Sequence, residues 1–204
     1  MDTKDLLIIL VENPELGKVK TRLAKTIGDE RALETYLSLL THTYAITNAL
    51  YCDKAVFYSN SVKENDFWET AGYEQHLQKG IDQGDHMINA FKMGFKRRYK
   101  NVVIIRSDCY ELSKAIIQEA FNELDEHSVV IGPATDSGYY LIGMTILYKE
   151  LFKNKEWNSE NVLLDTMIDL KKLDLSFKLL KTLTIVDEEK DLVTMRKSAK
   201  KPHK

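Results

Sequence analysis

The sequence predicts an α/β fold, a three-layer α/β/α sandwich on a mixed, mostly parallel sheet. Short apolar runs rich in branched residues, without in-and-out alternation, are what strands buried on both faces require. They alternate with segments whose apolar residues recur every three or four positions, as amphipathic helices demand. Turn-formers are scarce: Gly 9 and Pro 3 in 204 residues are too few for a many-turned β-sandwich.

Leu6–Val11 is the first apolar run and predicts a strand. Leu33, Tyr36, Leu37, Leu40 and Tyr44 then mark a helix with Asp29 as its N-cap. Ala55–Tyr58 predicts a second short strand, and residues 61–82 read as a short helix and a short strand. Met87, Phe91, Phe95 and Tyr99 form the core-facing stripe of a helix starting near Asp82, and Val102–Ile105 is the next strand. Ser113 caps a helix that turns Ile116, Ile117, Ala120, Phe121 and Leu124 inward. Val129–Ile131 and Tyr139–Met144 are strands, Val162–Leu170 a helix, Phe177–Val186 a strand and residues 188–198 a last helix. No linker, repeat or low-complexity segment interrupts the pattern, so residues 1–204 are expected to form one domain with a disordered tail at 199–204. The basic residues near the end, Arg196, Lys197, Lys200, Lys201 and Lys204, suit a solvated terminus and are given no function.

Composition narrows the function. Apolar residues at 44% and charged ones at 29% fit neither a disordered nor a membrane protein. A net charge of −2 without an internal basic block argues against nucleic acid as a partner. Cys52 and Cys109 are far apart and in no C-x-x-C pattern, as expected for reduced thiols in the cytoplasm. Leu6–Val11 is too short for a signal-peptide core or a membrane span.

In parallel α/β sheets, ligands bind outside the carboxyl ends of the strands. After the first strand comes Pro14-Glu15-Leu16-Gly17-Lys18-Val19-Lys20-Thr21-Arg22, whose cations Lys18, Lys20 and Arg22 precede a helix. Cations and backbone N–H groups converging there suit phosphate oxygens, or are only solvated loop charges. It is neither a Walker loop nor a G-x-G-x-x-G turn. Ser107 and Asp108 follow the strand Val102–Ile105. Asp108 either faces the crevice as an oxygen ligand for Mg²⁺ or Mn²⁺ or caps the next helix. Asp136, Ser137 and Gly138 follow Val129–Ile131 and suit either contact with a sugar or an Asx turn. Asp187, at the end of Phe177–Val186, is a second candidate metal ligand or a helix-dipole partner. Of Tyr139 and Tyr140, alternation predicts one ring in the core and one toward the crevice.

Pro14-x-x-Gly17-x-Val19-Lys20-Thr21-Arg22-Leu23-Ala24, Ser107-Asp108-Cys109-x-Glu111-Leu112 and Gly132-Pro133-Ala134-x-Asp136-x-Gly138-Tyr139-Tyr140-Leu141-Ile142-Gly143, taken together, resemble a poorly characterised bacterial family of GT-A-type glycosyltransferase-like proteins. That family is similar in turn to the guanylyltransferases of phospholactate and molybdenum-cofactor metabolism. The likeness runs from about residue 5 to residue 192, through Trp157-Asn158-Ser159 and Val186-Asp187-x-x-x-Asp191.

The resemblance implies a nucleotide-diphospho-sugar transferase (GT-A, Rossmann-like) fold and a cytoplasmic enzyme that moves a glycosyl or nucleotidyl group from a nucleotide or nucleotide-sugar to a small acceptor. It implies that Pro14, Gly17, Lys18, Lys20, Thr21, Arg22 and Ser107 hold the nucleotide, and that Asp108, Asp136 and Lys20 do the chemistry. Asp136, Ser137, Gly138, Tyr139 and His86 would meet the substrate, and Asp108, Asp136 and Asp187 would bind Mg²⁺ or Mn²⁺. A homodimer is left open. The chain departs from the family pattern in four places. Ser137 stands for a glycine, Tyr110 for a proline, Arg106 for a small residue and His86 for an arginine. These departures motivate an alternative, a catalytically impaired member that binds a nucleotide or a partner.

Overall fold

The computed structural model describes residues 5–64, 66–157 and 159–199. Asn158 and the tail from residue 200, with Lys200, Lys201 and Lys204, lie outside the described residues. The strands are β1 (Asp5–Val11), β2 (Asp53–Tyr58), β3 (Glu74–Leu77), β4 (Asn101–Arg106), β5 (Val129–Pro133), β6 (Tyr139–Met144) and β7 (Phe177–Leu179). The helices are α1 (Thr21–Ile27), α2 (Asp29–Asn48), α3 (Phe67–Thr70), α4 (Gln83–Lys96), α5 (Lys114–Glu123), α6 (Val162–Lys172) and α7 (Leu192–Ala199). Among the described residues the strands form one seven-stranded sheet, ordered β3-β2-β1-β4-β6-β5-β7. Only β6 runs antiparallel to its neighbours.

Successive residues of a strand point to opposite faces, and here both faces are covered. Leu7 and Ile9 of β1 and Val103 and Ile105 of β4 pack with Tyr36 and Leu39 of α2 and Ile117 of α5. Leu6, Ile8, Val102 and Ile104 pack on the other side with Met87 and Phe91 of α4 and Leu170 of α6. These are the predicted three layers.

Several local expectations hold with their capping chemistry. Ser113 Oγ accepts the Ile116 N–H at 3.3 Å, and the Asp82 carboxylate accepts the Asp85 N–H at 2.8 Å. Residues 61–82 supply α3 and β3. At α2, the N-cap is Gly28 with φ 85°, and Asp29 is the first helical residue. The extra helix α1 precedes it, and its Leu23 is fully buried.

The expected strand Phe177–Val186 is corrected to β7, Phe177–Leu179. The ladder with β5 ends at the Ile131–Leu179 pair. Beyond it Leu183 keeps an isolated bridge to Ala134, while Leu180, Leu183, Ile185 and Val186 stay buried. Burial there was legible; strand pairing was not. The predicted last helix is likewise a 3-10 turn at Glu189–Asp191 followed by α7. No described helix is long and apolar enough to cross a membrane.

Candidate functional site

The strand order reverses between β1 and β4: the chain lays β2 and β3 on one side of β1, then returns to place β4 on the other. The two strands are parallel and in register, Leu10 opposite Arg106, so their carboxyl ends open a crevice at one point. Glu12 and Asn13 leave β1 there, and Ser107 and Asp108 leave β4. Asn13 is buried. Its Oδ1 accepts the Asn60 N–H at 2.9 Å and its Nδ2 donates to the Ser61 carbonyl at 2.8 Å. This amide ties the first loop to the end of β2.

The loop after β1 ends on Lys20, whose backbone is left-handed at φ 49°. A non-glycine residue in that region costs roughly 1–2 kcal/mol. The turn sends the Lys20 side chain inward, where Nζ lies 2.5 Å from Asp108 Oδ2. Arg106 grips the same carboxylate with a fork, Nε to Oδ1 at 3.0 Å and Nη2 to Oδ2 at 2.7 Å. Burial alone would push the Asp108 carboxyl up, but Arg106 and Lys20 outweigh it and hold the group well below the usual carboxylate range. Asp108 also fixes the far side of the site through its carbonyl, which accepts the Val186 N–H at 3.0 Å.

A small cavity of about 160 Å³ opens on this cluster, lined by Glu12, Tyr36, Gln78, Gln83, Arg106 and Ser107 among others. Tyr36 Oη accepts the Glu12 N–H at 2.7 Å and lies 3.1 Å from Ser107 Oγ. Burial pushes the Glu12 carboxyl up, with Lys20 acting against it. Beside it lies a larger cavity of about 550 Å³, lined by Thr21, Arg22, Asp136, Ser137, Gly138 and Tyr139 of the expected residues, together with Asp187. Arg106 and Gln83 line both cavities.

The Asp136 loop forms the wall of this second cavity. Asp136 Oδ1 accepts the Gly138 N–H at 3.1 Å, an Asx-type contact that was one of the two alternatives for this segment. Ser137 sits at φ 67°, so the serine that replaces a glycine of the family pattern does occupy a glycine-type conformation. Its carbonyl accepts the Leu163 N–H at 2.9 Å, tying the loop to α6. Tyr139 and Tyr140 are both buried, on opposite faces. Tyr139 reaches the cavity, while Tyr140 donates to the Lys181 carbonyl at 2.9 Å. Trp157 closes the far wall against Gly84, where a Cβ would lie 2.8 Å from the indole ring and 2.6 Å from the Phe152 carbonyl oxygen.

Some expected residues stay apart from this arrangement. Lys18 turns outward to Glu15 at 2.6 Å, an exposed pair three residues apart within the loop. His86 lies on the first turn of α4 and lines neither cavity. Pro14 and Gly17 (φ 73°) shape the loop without lining either cavity. Gln83, Thr135, Trp157, Glu160, Glu188 and Lys190 line the large cavity without having been expected there. Trp157 lay in a stretch already noted, and Lys190 follows Asp187 closely. Nothing in the pattern around Gln83 or Glu160 could have found them.

The expected Mg²⁺ or Mn²⁺ ligands do not fit an ion as they stand. Both oxygens of Asp108 are engaged by Arg106 and Lys20. Asp136 Oδ2 lies 3.7 Å from Arg106 Nη1, and Asp187 Oδ2 lies 3.1 Å from Arg22 Nη1. Among the described residues no group of three or more His, Cys, Asp or Glu side chains is placed to hold a metal.

A family model described as "Uncharacterized protein conserved in bacteria (DUF2064)" matches residues 42–159. The fold matches a crystal structure of a "putative nucleotide-diphospho-sugar transferase" from Desulfovibrio desulfuricans G20, with TM-score 0.89, 27% identity, and 98% of this chain and 89% of that chain covered. It is also similar to 4-diphosphocytidyl-2C-methyl-D-erythritol synthase from Anaerococcus prevotii DSM 20548, with TM-score 0.58, 11% identity, and 97% and 96% of the two chains covered. A third likeness is Rv0371C from Mycobacterium tuberculosis H37Rv in complex with manganese, with TM-score 0.55, 10% identity, and 96% and 100% covered. No curated protein matches the chain.

Proposed function

The chain belongs to the bacterial DUF2064 family, and from that premise we propose that it is a transferase that moves a glycosyl or nucleotidyl group from a nucleotide or nucleotide-sugar to a small acceptor, releasing nucleoside diphosphate or pyrophosphate. The observation that carries the reading is the meeting of Lys20, Arg106 and Asp108 at the reversal point between β1 and β4, beside a cavity of about 550 Å³. Arg106 Nη1 takes no part in the grip on Asp108, so its donors are left for phosphate oxygens. The nucleotidyl- and sugar-transferase descriptions of the similar structures support the same reading.

In this reading Asp108 is a positioning residue: it holds Arg106, which lines both cavities, with Lys20 buried beneath it. The Arg106 donors, joined by Arg22 from the cavity wall, stabilise the charge that grows on the departing phosphates. Asp136 faces the cavity, with its side chain 42% exposed. It takes the proton from an acceptor hydroxyl as general base. Tyr139 and Trp157 give a base or sugar ring an apolar wall. Thr21, Ser137 and Gly138 line the space between, and Ser107 lies behind it against Tyr36.

Calorimetric titration with UDP-, GDP- and CDP-sugars and with nucleoside triphosphates tests the reading. Binding by at least one of them, weakened about tenfold or more by Lys20→Ala, supports it. Absence of binding across the series ends it. The clamp on Asp108 and the left-handed Ser137 also suit a chain that binds a nucleotide without turning it over. Release of nucleoside diphosphate or pyrophosphate, lost in Asp136→Asn, rejects that second reading.

A further inference from the structure

Each carboxylate that the sequence assigns to a divalent ion faces a cation belonging to the chain. Lys20 and Arg106 hold Asp108, Arg106 Nη1 lies 3.7 Å from Asp136, and Arg22 Nη1 lies 3.1 Å from Asp187. Arg106 is the common member, standing between Asp108 and Asp136 and lining both cavities. A carboxylate offers about four lone-pair sites. Three N–H donors already converge on those of Asp108.

Resting on the nucleotide reading above, we propose that Arg106 is a built-in substitute for the divalent ion, so that the site takes a nucleotide's diphosphate without Mg²⁺ or Mn²⁺. A guanidinium carries about five N–H donors, and the fork on Asp108 uses only Nε and one N–H of Nη2. Nη1 makes no hydrogen bond among the described residues, since its 3.7 Å separation from Asp136 exceeds hydrogen-bond reach. Its donors therefore remain for phosphate, whose geometry a planar guanidinium matches. The Asp108 grip fixes the plane of the group, and Lys20 supplies the second positive charge. A small residue at position 106, as in the family pattern, would leave Asp108 with open oxygens for an ion. Arginine here closes them and brings the charge itself.

The full-length chain is titrated calorimetrically with UDP, GDP, CDP and pyrophosphate, in EDTA and in Mn²⁺, and Mn²⁺ alone is followed by its electron paramagnetic resonance signal. The expected result is that at least one of these ligands binds with affinities in the two buffers agreeing within about twofold, and that Mn²⁺ alone is not retained. Arg106→Ala should weaken binding in EDTA by about tenfold or more and regain it in Mn²⁺, with the variant now retaining the ion. Arg106→Lys, which keeps the charge but not the fork, should weaken binding in EDTA without gaining Mn²⁺ and guards against a folding defect in the alanine variant. Binding by the wild type only in Mn²⁺, Mn²⁺ retention lost in Asp108→Asn, or unchanged binding in both Arg106 variants overturns the proposal. If none of the four ligands binds in either buffer, the nucleotide reading fails and this one with it, a result distinct from Mn²⁺-dependent binding.

Discussion

Lys20 and Arg22 stand two residues apart, and each faces an aspartate, yet the two pairs live in different surroundings. In the Lys20–Asp108 pair the side chains are 3% and 8% exposed, and in the Arg22–Asp187 pair they are 62% and 32% exposed. The left-handed turn at Lys20 points one cation into the crevice, and the start of α1 at Thr21 carries the next outward. A buried ion pair need not stabilise more than an apolar replacement would, but removing one partner strands the other charge. An exposed pair is screened by water and salt, and its loss is nearly neutral. The same three-residue segment therefore holds one contact on which the architecture depends and one that a ligand can take over cheaply.

The largest way to break this contrast is Asp108→Ala, which leaves Lys20 buried without its ion-pair partner and frees the fork of Arg106. Urea unfolding should show a loss of about 3–5 kcal/mol, and a loss below about 1 kcal/mol would mean that the cluster is solvated. The pH dependence follows the same group. Its folded pKa is depressed, so its stabilising contribution is complete above the unfolded value of about 4 and fades as pH falls through the folded value. The stability gap between wild type and Asp108→Asn should accordingly shrink below about pH 4, and a gap that stays constant there would refute the assignment.

A smaller effect is expected from Ser137→Gly. The left-handed φ of 67° is relieved by glycine, against glycine's larger loss of freedom on folding, for a net gain under about 1 kcal/mol. Thermal unfolding should rise by up to about 4 °C; a lower melting temperature would show that the serine side chain holds the loop. Smallest in stability is Arg22→Ala, with a change under about 1 kcal/mol. Its nucleotide affinity should nonetheless fall severalfold at low salt and less at high salt, and an equal loss at both would place Arg22 in a buried contact that salt does not screen.

How much was legible depends on the range of the interaction. Leu6–Val11 and Tyr139–Met144 were readable because burial on both faces imposes an unbroken apolar run that any window of a few residues displays. Ser113 was readable because a cap contacts an N–H only three residues away. Phe177–Val186 misled because Leu180, Leu183, Ile185 and Val186 are buried, as strand residues are, while the pairing with β5 ends at Leu179. Lys18 looked equal to Lys20 in sequence; only the backbone turn at Lys20 separates them. Arg106 read only as a departure from the small residue of the family pattern, because nothing local says that its fork closes on the carboxylate two places on.

Sequence alone thus determined the fold class, the layering of the sheet, the segments that gather at the carboxyl ends of the strands, and the presence of cations and carboxylates in those segments. These follow from patterns of a few residues and from the rule that parallel strands open their crevice at one end. Tertiary structure alone decided which cation meets which carboxylate. Lys20 and Asp108 are 88 residues apart and Arg22 and Asp187 are 165 apart. Such pairings are set by strand order, by a single left-handed residue and by the depth at which each group comes to rest, since burial decides whether a charge must find a partner or can leave it to water.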